Sequence, residues 1–295
     1  MAKIPLRPSP QRPNKGFRLM VRILGFFVGL GFCGVLAYSL IIGAIAFVNE
    51  EEAGPTAYDY HHHALDVSFS SDGPLGTFDR QQLQRGFQVY REVCAACHSL
   101  QYVAFRNLTD LGFSEAEVDA IADQWPIPVP SIDPDTGEET TRPAVASDHF
   151  PLVYANQTAG QAANNNAYPP DLSLMTKARE EGAAYLYSLL VGYEDPPADL
   201  PEELQPGTGL YYNSYFANLN LAMPPPLVEG QVSYADGTEA TVEQMAHDVT
   251  AFLIWTAEPK MEARKSTGWA VLIFLIFATV LAFLSYKNIW RDEKH

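Results

Sequence analysis

The sequence predicts a mainly α protein with long loops and a small β-hairpin, set between an N-terminal signal or anchor helix and a C-terminal transmembrane helix. Three observations carry this. Two uncharged stretches, 26 residues from Ile23 to Val48 and 21 from Ser266 to Tyr286, lie near the ends of the 295-residue chain. A helix needs roughly 20 apolar residues to cross a bilayer, so both are long enough. Between them, helical periodicity and capping patterns mark short helices, and the proline- and acid-rich stretches 126–143 and 194–207 read as loops.

The first 22 residues form a basic leader. Lys3, Arg7, Arg12, Lys15, Arg18 and Arg22 precede the first apolar stretch without an acidic residue, and Glu50, Glu51 and Glu52 follow it. The positive-inside rule puts the leader in the cytoplasm and the middle of the chain outside. The second span then returns, in agreement with Lys287, Arg291 and Lys294 behind it, while Arg264 and Lys265 sit on the wrong side for the rule. The expected order is a leader (1–22), a membrane span (23–48), an exported domain (49–265), a second span (266–286) and a cytoplasmic tail (287–295). The length of the first span favours a retained anchor over a cleaved signal, although Ala44 and Ala46 offer an A-x-A cleavage site. With Pro5, Pro8, Pro10 and Pro13 the leader is a poor mitochondrial transit peptide, so a bacterial inner membrane with the middle of the chain in the periplasm is expected.

Composition removes other classes. With 47% hydrophobic and 12% aromatic residues the chain has material for a core, and three cysteines cannot make a disulfide scaffold. The formal net charge is −16, and residues 49–263 hold 33 acidic against 8 basic residues, a surplus of 25 negative charges. A nucleic-acid partner is therefore not expected.

Within the exported domain a helix is expected to start at Thr77-Phe78-Asp79, with Leu83, Phe87 and Tyr90 on one face, and to end near Cys94-Ala95-Ala96-Cys97-His98. This C-x-x-C-H pattern reads as c-type haem attachment. Two thiols three positions apart project from about one helical turn and can add to the two vinyl groups on one porphyrin edge. The adjacent His98 imidazole then lies beneath the iron as proximal ligand. A structural zinc site lacks ligands, because the remaining Cys33 is in a membrane span, and a thioredoxin-type pair lacks its βαβ setting.

An electron-carrying haem takes a second axial ligand. Among six methionines, Met1, Met20 and Met261 are in or beside the spans and the leader, and Met175 and Met245 fall in helical patterns that suit a core role. Met223 precedes Pro224-Pro225-Pro226, which stiffen its loop, and is the candidate distal ligand, against an ordinary loop-packing residue. Bis-histidine ligation is the alternative. Of the seven histidines, His61, His62 and His63 read as a solvated run, and His149 and His247 as surface or core residues.

Further along, Ser114-x-x-Glu117 and Thr241-x-x-Gln244 are capping boxes, the latter starting a helix to Ala257. Residues 171–191 suit one or two helices broken at Gly182, and 231–241, around Asp236-Gly237, suit the hairpin.

From about Leu75 to the C-terminus the chain resembles the cytochrome c1 family. The resemblance rests on Arg85-Gly86-Phe87-Gln88-Val89-Tyr90 before the haem motif, Tyr102-Val103-Ala104-Phe105-Arg106 behind it, Arg142-Pro143 with Asp148, Ala162-Ala163-Asn164-Asn165, and Pro169-Pro170-Asp171-Leu172-Ser173. The Met223 loop, Asp236-Gly237-Thr238, Ala257-Glu258-Pro259 and the single C-terminal span complete it. It implies one covalent haem c with Met223 as distal ligand, Arg142 near a propionate, and the Pro170 carbonyl accepting from His98. It also implies a subunit of ubiquinol:cytochrome c reductase that takes electrons from a Rieske iron–sulfur protein beside cytochrome b and passes them to a soluble or tethered cytochrome c. Some bacterial relatives carry an extra disulfide for which this chain has no cysteines left. The rivals are a membrane-anchored c-type cytochrome feeding a terminal oxidase outside such a complex, and a haem enzyme or sensor with an open sixth site. The acidic run Glu194, Asp195, Asp199, Glu202 and Glu203 is a candidate docking patch for a cationic cytochrome c, or a solvated loop.

Overall fold

The computed structural model describes residues 15–48 and 54–292; the leader from Lys3 to Arg12, Glu50 to Glu52 and Lys294 lie outside them. The chain divides at Gly54 into two units. The first is helix α1 (Lys15–Val48), 34 residues long and exposed along its apolar length. The second contains helices α2 (Ala57–Tyr60), α3 (Arg80–Glu92), α4 (Glu115–Asp123), α5 (Gln157–Ala163), α6 (Met175–Ala178), α7 (Gly182–Val191), α8 (Val242–Ala257) and α9 (Met261–Ile289). Two small antiparallel sheets, β1 (Val129–Ile132) with β2 (Glu139–Arg142) and β3 (Tyr211–Tyr212) with β4 (Asn220–Leu221), complete it. The mainly α architecture with apolar helices at both ends is the one the sequence predicts.

α3 starts where its cap dictates: the Asp79 carboxylate accepts from the backbone N–H groups of Gln81 at 3.0 Å and Gln82 at 3.3 Å. Its Leu83, Phe87 and Tyr90 face is buried against α8, which Thr241 caps by accepting from Gln244 N at 3.1 Å. The aromatic core grows from this crossing. Phe87 and Tyr90 each lie 5.7 Å from the Phe252 ring, and Phe150 packs on Phe105 at 4.2 Å and Trp125 at 4.9 Å. Each such ring contributes roughly 2–3 kcal/mol by leaving water. A buried ion pair crosses the same interface. Arg85 on α3 grips Asp248 on α8 with Nε at 2.9 Å and Nη2 at 3.2 Å, and reaches Asp236 with Nη1 at 2.9 Å.

The expected break at Gly182 is present: Arg179, Glu180 and Glu181 separate α6 from α7, and the chain turns at Glu181 and Gly182, with φ of 59° and 56°. Two expectations are corrected. Residues 231–241 form turns, not a hairpin; their ends meet through Gly230 N and Ala240 O at 2.9 Å, but Val232, Tyr234 and Ala240 turn into the core and Asp236 is drawn to Arg85. Side chains aimed inward from both arms leave no flat pair of strands. The hairpin lies instead in 126–143, expected to be loop, where Asp133 closes the turn by accepting from Gly137 N at 2.8 Å and from Asp135 N at its side chain at 2.8 Å.

α9 is bolted to the second unit before its apolar length begins. The Glu262 carboxylate accepts from Phe78 N at 2.7 Å and Arg80 Nη2 at 2.8 Å, and Lys265 Nζ donates to the Ser71 and Gly76 carbonyls at 2.7 and 3.0 Å. Arg264 pairs with Glu258, which also holds Lys177 at 3.0 Å. The two cations that sit awkwardly for the positive-inside rule are thus engaged with the head of the protein.

Candidate functional site

α3 runs directly into a 3₁₀ turn, Cys94–Ala96, closed by Cys97 N and His98 N donating to the Cys94 carbonyl at 3.1 and 2.9 Å. Both thiols and the imidazole therefore share one tight turn at the end of a buried helix. Tyr90, buried on α3, donates its hydroxyl to the His98 carbonyl at 3.0 Å and fixes the end of that turn. Burial pushes the Cys94 thiol up to about 12, with the neighbouring Cys97 adding to the shift, so it stays protonated at neutral pH.

His98 Nδ1 lies 2.8 Å from the main-chain oxygen of Pro170. A carbonyl only accepts, so Nδ1 carries the proton and Nε2 keeps its lone pair, the form in which imidazole binds a metal. Burial pulls the His98 pKa down, while the Pro170 hydrogen bond and the Asp171 charge oppose it. The ring is neutral at pH 7.

The segment carrying Pro170 is zipped onto the residues after the motif. The Asp171 carboxylate accepts from Gln101 N at 2.8 Å and Ser173 N at 2.9 Å, the Ser173 hydroxyl from Tyr102 N at 3.2 Å, and the Ser99 carbonyl from Leu172 N at 2.9 Å. Ser99 Oγ also accepts from Val153 N at 3.1 Å. Ser99, Asp171 and Ser173 are supporting residues to which sequence periodicity assigns no role, and periodicity places Tyr90 only on the buried face of α3. Only the Asp-x-Ser turn pattern of Asp171 and Ser173 hints at them.

Arg142 closes β2 and is forked onto Asp148, with Nη1–Oδ2 at 2.6 Å and Nη2–Oδ1 at 2.9 Å, while Nη1 also donates to the Pro143 carbonyl at 2.9 Å. That engages three of its five N–H groups. The guanidinium holds the Asp148 carboxyl below its usual range.

Met223 is half-buried in the loop after β4, and its carbonyl accepts from the Tyr193 hydroxyl at 3.1 Å. Met175 and Met245 are buried core residues, as their helical patterns suggest. His247 is packed, stacked on Phe69 at 4.7 Å and bonded to Gln82 Nε2 at 2.7 Å, whereas His62 and His63 are exposed. Among the described residues no group of three or more His, Cys, Asp or Glu side chains is arranged to hold a bare metal ion. Two thiols and a neutral imidazole with an unengaged Nε2 on one turn suit a haem instead.

Comparison with known proteins agrees with this chemistry. Residues 69–293 match the model of the Cytochrome C1 family. Cytochrome c1 of Rhodospirillum rubrum is 45% identical over 245 residues, covering 79% of this chain and 89% of that protein. The mitochondrial cytochrome c1 heme protein of Saccharomyces cerevisiae is 44% identical over 241 residues, covering 81% of this chain and 76% of the relative. Cytochrome b/c1 of Bradyrhizobium diazoefficiens is 44% identical over 247 residues, and the matched part is 35% of that longer protein. The chain belongs to the cytochrome c1 family and is a haem-carrying, membrane-anchored electron-transfer subunit of the respiratory bc1 complex.

Proposed function

We propose that this chain carries single electrons from a Rieske iron–sulfur protein to a soluble or membrane-tethered cytochrome c, beside cytochrome b, with one haem c held covalently by Cys94 and Cys97. His98 and Met223 would be the two protein ligands of its iron. The hydrogen bond from His98 Nδ1 to Pro170 O, at 2.8 Å, carries this reading, because it fixes the tautomer and plane that a proximal imidazole needs. When bound, the haem supplies a one-electron ferric–ferrous couple. The chain's residues do the rest. Cys94 and Cys97 would hold the group through their sulfurs; Asp171 and Ser173 hold the Pro170 carbonyl in place; Met223 would offer the iron its thioether and keep exogenous ligands out.

Arg142 lies near a propionate in this reading. Two of its N–H groups are free of Asp148 and Pro143, enough for one further anion. The Bradyrhizobium relative, whose name joins b and c1, supports a cytochrome b partner. The surplus of 25 negative charges in residues 49–263 suits a cationic acceptor steered to the surface, with Glu194, Asp195, Asp199, Glu202 and Glu203 as the docking patch. The exported domain faces the periplasm of a bacterial inner membrane, with residues 1–22 and 287–295 in the cytoplasm, and α1 is retained as a signal-anchor.

The test is solubilisation of the native membrane in mild detergent and capture through this chain. Co-purification of a cytochrome b and a Rieske protein is expected. Capture of a terminal oxidase alone would favour a c-type cytochrome that works outside a bc1 complex.

A further inference from the structure

We infer that Tyr193 is a positioning residue for the distal ligand, its phenol holding the Met223 main chain so that the thioether stays on the iron; this rests on Met223 being that ligand. Little else holds the loop. Pro224, Pro225 and Pro226 have no N–H to donate. Among the described residues a single hydrogen bond reaches Met223–Pro226, from Tyr193 Oη to the Met223 carbonyl at 3.1 Å. The flanks are fixed: Leu221 is paired with Tyr211 before the loop, and Leu227 is buried after it. Met223 therefore sits in a short span with secured ends and one internal tether.

Tyr193 is built as a fixed point. It lies just past the Gly192 cap of α7, and its backbone bridges to Asn213. Asn213 is fully buried; its Nδ2 donates to the Leu189 carbonyl at 2.8 Å and its Oδ1 accepts from Tyr215 N at 3.1 Å. A side chain at Gly192 would stand 2.3 Å from the Tyr215 ring, so glycine lets that ring close over the end of α7. The phenol is thus held by its surroundings in line with the Met223 carbonyl.

Loss of one hydrogen bond of ordinary strength shifts the balance between ligated and open loop by about fivefold. Because a thioether favours ferrous iron, weaker ligation also lowers the reduction potential. Four full-length haem-loaded proteins in detergent test this: wild type, Tyr193→Phe, Tyr187→Phe and Met223→Leu. Tyr187 is a control on α7 whose hydroxyl makes no hydrogen bond among the described residues. Covalent haem content, the thioether–ferric iron charge-transfer absorption, reduction potential and carbon monoxide binding by the ferrous protein are read for each.

With equal haem content throughout, Tyr193→Phe is expected to bind carbon monoxide about fivefold more readily than wild type, with a weaker charge-transfer band and a lower potential. Tyr187→Phe should match wild type. A Tyr193→Phe protein identical to wild type, while Met223→Leu loses the band, would overturn the role of Tyr193 and leave Met223 as ligand. A band that survives in Met223→Leu would overturn both.

Discussion

Gly86 on α3 and Asp248 on α8 are in direct backbone contact: a Cβ at Gly86 would stand 2.1 Å from the Asp248 carbonyl oxygen and 2.7 Å from the Phe252 Cβ. The helix that ends in the haem motif is therefore pressed so close to its partner that a single Cβ does not fit between them. Gly86→Ala must push the helices apart through the aromatic core. Overpacking against backbone is expected to cost about 3 kcal/mol, read as a lower midpoint of chemical denaturation, with loss of haem incorporation if the crossing fails.

Beside that contact, Asp248 is wholly buried and accepts from both Arg85 and Gln244, the latter at 2.9 Å. Asp248→Ala leaves the Arg85 guanidinium, 17% exposed, with the surface carboxylate of Asp236 as its one acidic partner among the described residues. Breaking one side of a buried pair costs about 3–5 kcal/mol. Asp236→Ala is expected to cost much less, because Asp236 lies at the surface and Arg85 keeps its grip on Asp248. Thermal unfolding of the two variants checks the order.

Acid is expected to loosen the protein in a defined window. Asp148 is pulled down by the Arg142 fork, Glu258 by Arg264 and then Lys177, and Asp236 falls to about 2 through the Thr238 backbone and side chain and then Arg85. A carboxyl with a depressed folded pKa contributes stability that is present above its unfolded pKa and lost as pH falls through its folded one. For these groups the window opens near 3.8 for the aspartates and 4.5 for Glu258 and extends toward about 2 for Asp236. Stability should be insensitive to these three groups between pH 7 and 5 and fall below about 4. Arg142→Met should flatten part of that fall, and denaturation midpoints from pH 7 to 2.5 measure it.

Asp171 receives two backbone N–H groups, from Gln101 and Ser173. Asp171→Ala frees the segment that presents the Pro170 carbonyl. It should cost about 2 kcal/mol, as loss of hydrogen bonds to a charged acceptor does, and lower the reduction potential by loosening the imidazole. Asp171→Asn, which keeps one carbonyl acceptor, should fall between the two.

Much of this was legible in the sequence because it follows from local patterns. Asp79, Ser114 and Thr241 each cap a helix at the expected residue, since a capping side chain and the N–H groups it serves are two or three positions apart. The motif Cys94 to His98 carries its own spacing. What stayed hidden depends on residues far apart in the chain. Nothing near Tyr193 points to Met223, 30 positions away, and nothing near Gly86 announces a carbonyl from residue 248. The hairpin was misplaced for the same reason. Asp236-Gly237 is a good turn, but the pull of Arg85 from 151 residues away and the burial of Val232 and Tyr234 override it. At 129–142, Pro130 in one strand and the polar run Glu139–Arg142 in the other disguised a real pair.

The most direct test of the account is the reduction potential of haem-loaded wild type and Met223→Leu, measured together with carbon monoxide binding by the ferrous forms. A wild-type protein closed to carbon monoxide, and a variant with a clearly lower potential that binds it readily, are expected if His98 and Met223 are the two axial ligands. An unchanged potential in Met223→Leu, or ready binding of carbon monoxide by wild type, would contradict it.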